Sequence, residues 1–256
     1  MASPASSFDS IQFGAPMGDY RGSVARIVVL ILGFVVLAFG AFITALAGYG
    51  MANPDANQTD PLTGVILGVI FILVSAFPFG VAYVWRGAHA QLFERGFIIA
   101  RAGKTTSAHW EDVTSITQRI VQSRYYGIPV WTSHRYDITL ANGEKLRVND
   151  AFGKASKLGD AIQRMSANAL LPRAIASYQS GATLPFGKLS VSQVGISNGK
   201  ETLPWADLSQ VALQNGYALV MRKGKMLRWT SARISQTPNV YVLLALVGFV
   251  QRGGAS

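Results

Sequence analysis

The ionisable side chains of this chain are sparse, and where they cluster they are cations. Arg222-Lys223-Gly224-Lys225, closed by Arg228 with Trp229 beside it and Arg233 beyond, is the densest group. Guanidinium and ammonium groups gathered on a turn offer forked donors and point charges to phosphate, which suits anionic lipid headgroups. A solvated hairpin tip would carry the same residues. Nucleic acid also presents phosphate, but gripping a strand calls for aromatic platforms interleaved with the charge. Those are missing, so no nucleic-acid partner is expected. A second candidate contact is Tyr125-Tyr126-Gly127-Ile128-Pro129-Val130-Trp131, where Tyr126 and Trp131 are anchors suited to a protein partner or a membrane interface.

Catalytic patterns are absent. His89, His109 and His134 are the three histidines; His109 and Asp112 lie three apart in a strand-and-turn context that does not aim them together, and no cluster has metal-ligand spacing. Gly103-Lys104-Thr105 imitates the end of a phosphate loop, but Ile98 stands where that motif needs its earlier glycine. With no cysteine in the chain, thiol nucleophiles, disulfides and thiolate zinc sites are excluded. The expectation is a protein that is not an enzyme and holds no metal or cofactor.

What must position the cationic group is a chain organised around two apolar runs. Ile27 to Leu46 and Val65 to Trp85 contain no charged side chain. A hydrocarbon core of about 30 Å takes about 20 helical residues, so both runs are long enough to span it. The pattern predicts transmembrane helices over about 25–47 and 63–85, within a segment 23–87. The polar link between them carries Asp55 and Asp60 and no cation, whereas Arg21, Arg26, Arg86, Arg95, Arg101 and Lys104 flank the pair on its other side. That bias places both termini in the cytoplasm, with the plasma (inner) membrane as the expected location. Ala45-Leu46-Ala47 has the form of a signal-peptide cleavage site, but the run before it exceeds the ~7–15 residues of a signal core and stands behind an N-terminal tail that is not notably basic. Residues 1–22 read as a disordered tail. Gly64-x-x-x-Gly68 and the stripe Gly40, Thr44, Gly48 suit close helix packing, within the chain or in a homo-oligomer. Pro78 should kink the second helix.

The formal net charge is +10, and from Gly87 onward 20 Lys and Arg face 9 Asp and Glu. A basic domain beside an anionic leaflet is drawn to it, although insertion topology alone yields the same bias.

Beyond Arg86 the pattern is of short strands: Leu92 to Ile99, Val113 to Val121, and a hairpin through Tyr136–Leu140, Asn142-Gly143 and Glu144–Val148. Lys154 to Met165 has helical spacing. Leu171-Pro172 begins a second helical piece that ends at Ser180-Gly181. Strands then resume to Ser231, and Val240 to Val250 reads as a helix too short to span a bilayer. The two halves repeat. Trp110-Glu111-Asp112-Val113 matches Trp205-Ala206-Asp207-Leu208, and Tyr136 with Gly143 and Leu146-Arg147 matches Tyr217 with Gly224 and Leu227-Arg228. Gln122 to His134 is then an elaborated loop in the first half. Trp110 and Trp205 read as core plugs, and Asp112 and Asp207 as acceptors of backbone donors.

Antiparallel strands closed by one helix, given twice, resemble tandem pleckstrin-homology-like (PH-like) barrels. The Trp-x-Asp pair, Phe186-Gly187-Lys188-Leu189-Ser190-Val191-Ser192 and Pro238-Asn239 resemble an uncharacterised two-span membrane family with PH-like halves, over about residues 90–251. The resemblance implies an α+β membrane protein: two transmembrane helices, a first PH-like β-barrel/helix module over 88–168, a helical linker over 169–181 and a second module over 182–252. PH-like domains that grip inositol phosphates use the loop between their first two strands, which in this reading holds Arg101 and Lys104. The expected function is a non-enzymatic membrane-anchored scaffold that meets a protein partner or oligomerises. The alternative is an anionic-lipid-binding module acting through the basic hairpin around Lys223.

Overall fold

The computed structural model describes residues 12–53, 61–126 and 128–253; the link bearing Asp55 and Asp60 falls outside them. The apolar runs form α1, Ala25–Ala52, and α2, Pro61–Val84. Both are long and apolar enough to cross a membrane, and α1 continues five residues past its expected end. Ile31, Phe34, Phe42, Leu73 and Phe77 lie mostly exposed along the pair. The two helices meet through small residues. A side chain at Gly40 would come within 2.8 Å of the Gly68 carbonyl, and one at Gly64 within 2.8 Å of the Ala47 methyl. The glycine stripe thus packs this chain against itself, except at Gly48, which faces open space. Edge-to-face pairs Phe34–Phe79 and Phe39–Phe71, at 5.0 and 5.2 Å, flank the contact.

A strand stands on each side of this helical pair. β1, Pro16–Arg21, runs antiparallel to β2, His89–Phe93, with Tyr20 opposite Ala90 and Arg21 opposite His89. Residues 12–22 are therefore not a disordered tail. Phe13 is buried against Phe93 and His109, over a glycine at 96 that leaves room for its ring. Pro16-Met17-Gly18-Asp19 has no alternating apolar face to signal a strand; it is held by its ladder and by one aromatic plug.

β3 (Gly96–Arg101) and β4 (Lys104–His109) complete a four-stranded sheet in the order β1-β2-β3-β4. A 3₁₀ turn, Trp110–Asp112, leads to the three-stranded sheet β5 (Val113–Tyr125), β6 (Ile128–Leu140) and β7 (Lys145–Asn149). Helix α3, Ala155–Gln179, follows. The second half has the same order of elements. β8 (Leu184–Phe186), β9 (Leu189–Val191), β10 (Gly195–Ser197) and β11 (Thr202–Pro204) form four strands, and Trp205–Asp207 is again a 3₁₀ turn. β12 (Leu208–Gln214), β13 (Tyr217–Arg222) and β14 (Arg228–Arg233) form three, and α4, Val240–Gln251, closes the half. The sheets are open rather than closed barrels. In each half the tryptophan turn stands where the fourth strand would have to pair with the fifth.

Three further boundaries differ from expectation. Gln122 to His134 is not a loop: β5 and β6 continue through it as a hairpin arm turning at Tyr125–Ile128. The Tyr, Ile, Val, Trp and Thr content of the segment favours strand. Residues 155–179 form one helix, with no linker at 169. Pro172 lies inside it, at a local cost of about 3 kcal/mol. Packing at both ends offsets that cost. Leu158 and Ile162 belong to the first core, and Ala167 and Tyr178 to the second. Finally, the match of Tyr136 to Tyr217 is one residue out of register. Val113 faces Leu140 and Leu208 faces Arg222, so the buried Tyr136 corresponds to Ala218, also buried, and Tyr217 points outward. A one-residue slip reverses the faces of a strand.

The halves are joined by more than α3. Asn239, left-handed at φ 53° before α4, binds β5 at Ile116 and Thr114. The base of the helical pair is tied as firmly. Ser23 N–H donates to Ala151 C=O at 2.9 Å, Gly153 N–H to Arg21 C=O at 2.6 Å, and Arg26 Nε to Ala82 C=O at 3.0 Å.

Candidate functional site

Each tryptophan turn is held by its indole. Trp110, 3% exposed, packs on Phe97 and donates from Nε1 to Phe93 C=O at 2.9 Å. Asp112 caps the turn, its carboxylate accepting His109 N–H at 3.1 Å and its carbonyl accepting Ala141 N–H at 2.7 Å. Trp205 is half-buried, donates to Ser192 C=O at 3.0 Å and stands edge-on to Tyr178. Asp207 differs from Asp112. Its carbonyl accepts Lys223 N–H at 2.8 Å, but its carboxylate meets the Arg222 guanidinium at 2.7 Å.

That ion pair reshapes the basic cluster on the β13–β14 turn. Arg222 is engaged at the turn's base, leaving Lys223, Lys225 and Arg228 as its outward cations. Between them stand Met226, 98% exposed, and Leu227, 83% exposed. Sequence reasoning passed over this apolar pair, although Lys225-Met226-Leu227-Arg228 shows it plainly in a segment already read as a turn. Two bare apolar side chains ringed by cations can enter a bilayer interface while the ammonium groups stay among headgroups. Trp229 packs on the second core behind them.

The β5–β6 arm carries the aromatic candidates. Tyr126 holds φ 49° at its tip and is 88% exposed. Trp131 lies on β6 opposite Ser123; its side chain is outside the described residues. A cleft of about 670 Å³ separates the arm from the second half, lined by Arg119, Ile120, Thr132, Gly216 and Arg233 among others. The structure brings the basic turn onto the second tryptophan turn through Asp207, and places the arm and the first tryptophan turn on other elements.

The titratable groups are held by neighbours in structural roles. His134 meets Asp150, His89 meets Asp19, and the His109 ring lies 3.2 Å from Arg95 C=O. Among the described residues no three His, Asp or Glu stand close enough to hold a metal ion. Burial pushes the Asp137 carboxyl up, but hydrogen bonds from Arg135 and Arg147 outweigh it and hold the group below the usual carboxylate range. Arg101 and Lys104 flank a tight β3–β4 turn whose central residues, Ala102 and Gly103, hold φ 51° and 84°. They are not on the loop between the first two strands. That loop, between β1 and β2, is the helical pair itself.

A family model described as a family of unknown function, DUF6585, matches residues 1–255. No curated protein matches the chain.

Proposed function

We propose that this chain, which belongs to the family of unknown function DUF6585, is a non-enzymatic scaffold: two helices anchor it in a membrane and two PH-like units stand at the cytoplasmic face. One observation carries this reading. The two apolar helices, largely uncovered by protein, are inserted between paired strands of the first unit, so anchor and displayed domain share one rigid base. A domain tethered by a free linker samples a wide volume; this one holds a fixed pose on its anchor. Cations flank the base and favour the cytoplasmic side.

Support for two copies of one unit is the parallel wiring. Each has four strands, a tryptophan turn, three strands and a helix. Each indole donates to a carbonyl at the end of an early strand, and each turn aspartate carbonyl accepts from the residue following the second strand of its three-stranded sheet. Reporter fusions within residues 54–60 and after Ser256, with fractionation of membranes, test the anchor. The expected result is a membrane-bound chain with the two reporters on opposite sides and the C-terminus cytoplasmic. A C-terminal reporter on the outer side overturns it.

The second reading, lipid binding by the basic turn, is favoured by the exposure of Met226 and Leu227 among Lys223, Lys225 and Arg228.

A further inference from the structure

We propose that the cleft at the base of the helical pair, between β1 and the first turn of α3, holds the phosphate headgroup of an anionic phospholipid. The proposal rests on α1 and α2 being membrane spans. The cleft measures about 500 Å³ and is lined by Asp19, Tyr20, Arg21, Gly153, Lys154 and Lys157 among others. Three cations thus face one acid, and that acid is taken: Asp19 meets Arg21 at 3.3 Å and also His89. Lys154 and Lys157 are exposed and have no acidic partner among the described residues. Lys154 and Lys157, three residues apart at the cleft with no acid paired to them, favour an anion there.

The position of these cations is fixed by backbone. Gly153 donates to Arg21 C=O, and a side chain at Gly153 would come within 2.8 Å of that oxygen, so the turn lies flat on β1. Lys154 follows at φ 59°, with no side chain capping the first N–H groups of α3. These free donors add to the cationic wall.

The anchor identifies the anion's source. Gly22 stands three residues before α1, a reach of at most about 11 Å, so with α1 as a span the cleft lies beside the end of the helical pair that meets the cytoplasmic leaflet. Val24 and Ile27 are exposed on the adjoining start of α1 and offer an acyl chain an apolar track. A free phosphate would meet the same cations and gain nothing from that track.

The test uses the full chain in neutral detergent, with native mass spectrometry of bound phosphatidylglycerol against phosphatidylcholine, and with inorganic phosphate as competitor. The double variant Lys154→Asn, Lys157→Gln removes both charges, and asparagine is the residue that takes the same left-handed place before α4. Wild type should select phosphatidylglycerol, and the double variant should bind it about thirtyfold more weakly, two surface charges' worth. Lys188→Gln with Lys200→Gln, exposed on the β8–β9 and β10–β11 turns, should bind it as wild type does. An unchanged affinity in the Lys154/Lys157 variant, with its melting temperature intact, overturns the site. Displacement of the lipid by an equal concentration of inorganic phosphate overturns the lipid as occupant. Recovery of the chain in the aqueous fraction without detergent removes the anchor reading and this site together. A membrane-bound chain with no lipid preference removes the site only.

Discussion

Asn239 sits on Ile116 as one strand residue sits on another. Its N–H donates to the Ile116 carbonyl at 2.9 Å, and its side-chain oxygen accepts the Ile116 N–H at 2.9 Å. The amide nitrogen then reaches Thr114 C=O at 2.8 Å. One residue of the second half thereby caps the free edge of β5 in the first. Each such bond contributes about 1 kcal/mol net, and alanine in the left-handed region adds about 1 kcal/mol of strain. Asn239→Ala should therefore cost about 2–3 kcal/mol. Asn239→Gly, free of strain, should cost about 1–2. Thermal unfolding of the full chain in detergent measures both, and equal losses would mean that the side-chain bonds carry all of the effect.

The tryptophans should not be equivalent. Trp110→Ala removes a fully buried ring and should cost about 3–5 kcal/mol, whereas the half-buried Trp205 should cost roughly half that. Denaturant midpoints of the two variants check the ranking. A larger loss at Trp205 would contradict the burial difference.

How much of this could be read in the sequence depends on the kind of signal. The apolar runs were plain because length against bilayer thickness needs no tertiary knowledge. The Trp-x-Asp pair is plain because it recurs at the same place in both halves, although each indole is held by a carbonyl more than ten residues upstream. β1 was hidden: Pro16 to Arg21 draws its stability from a partner across the helical pair. Leu171-Pro172 reads locally as the start of a new helical piece, since local propensity cannot register that the turns on its two sides are buried in different cores. Met226 and Leu227 were visible but unweighted, because exposure is a property of the fold.

The apolar tip of the β13–β14 turn gives a separable test of the second reading. Full chain in which Met226 and Leu227 are both changed to Ser should fold normally, since both side chains are bare. In liposomes doped with brominated anionic lipid, a fluorophore attached at Gly224 should lose quenching in that variant. Replacing Lys223, Lys225 and Arg228 by Ser should make the remaining contact insensitive to salt. Quenching unchanged by either set would remove the turn from the list of lipid contacts.

Acid should loosen the first half through Asp137. Its folded pKa lies below the unfolded value of about 3.9, so its contribution is complete above that pH and is lost as pH falls through the folded value. Wild type should lose melting temperature more steeply than Asp137→Asn as pH falls below about 4. Parallel slopes would show that the Arg135 and Arg147 contacts do not contribute.

Gly68→Leu should part the helices, because the new side chain would strike Thr44 and the Gly40 backbone. Thermal unfolding of the full chain in detergent should show a lower midpoint for that variant, and an unchanged midpoint would contradict the packing.

The placement of β1 and β2 sets the loop entropy of the first sheet. Asp19 and His89, in contact, are 70 residues apart in sequence, a separation that would tax the pairing if the intervening chain were flexible. It is not. Arg26 already touches the end of α2 at Ala82, so once the two helices have packed, their ends are delivered side by side and the sheet meets them as it would a short turn. A chain whose helices failed to associate would lose that short connection, and β2 would be left as an unpaired edge of the first sheet.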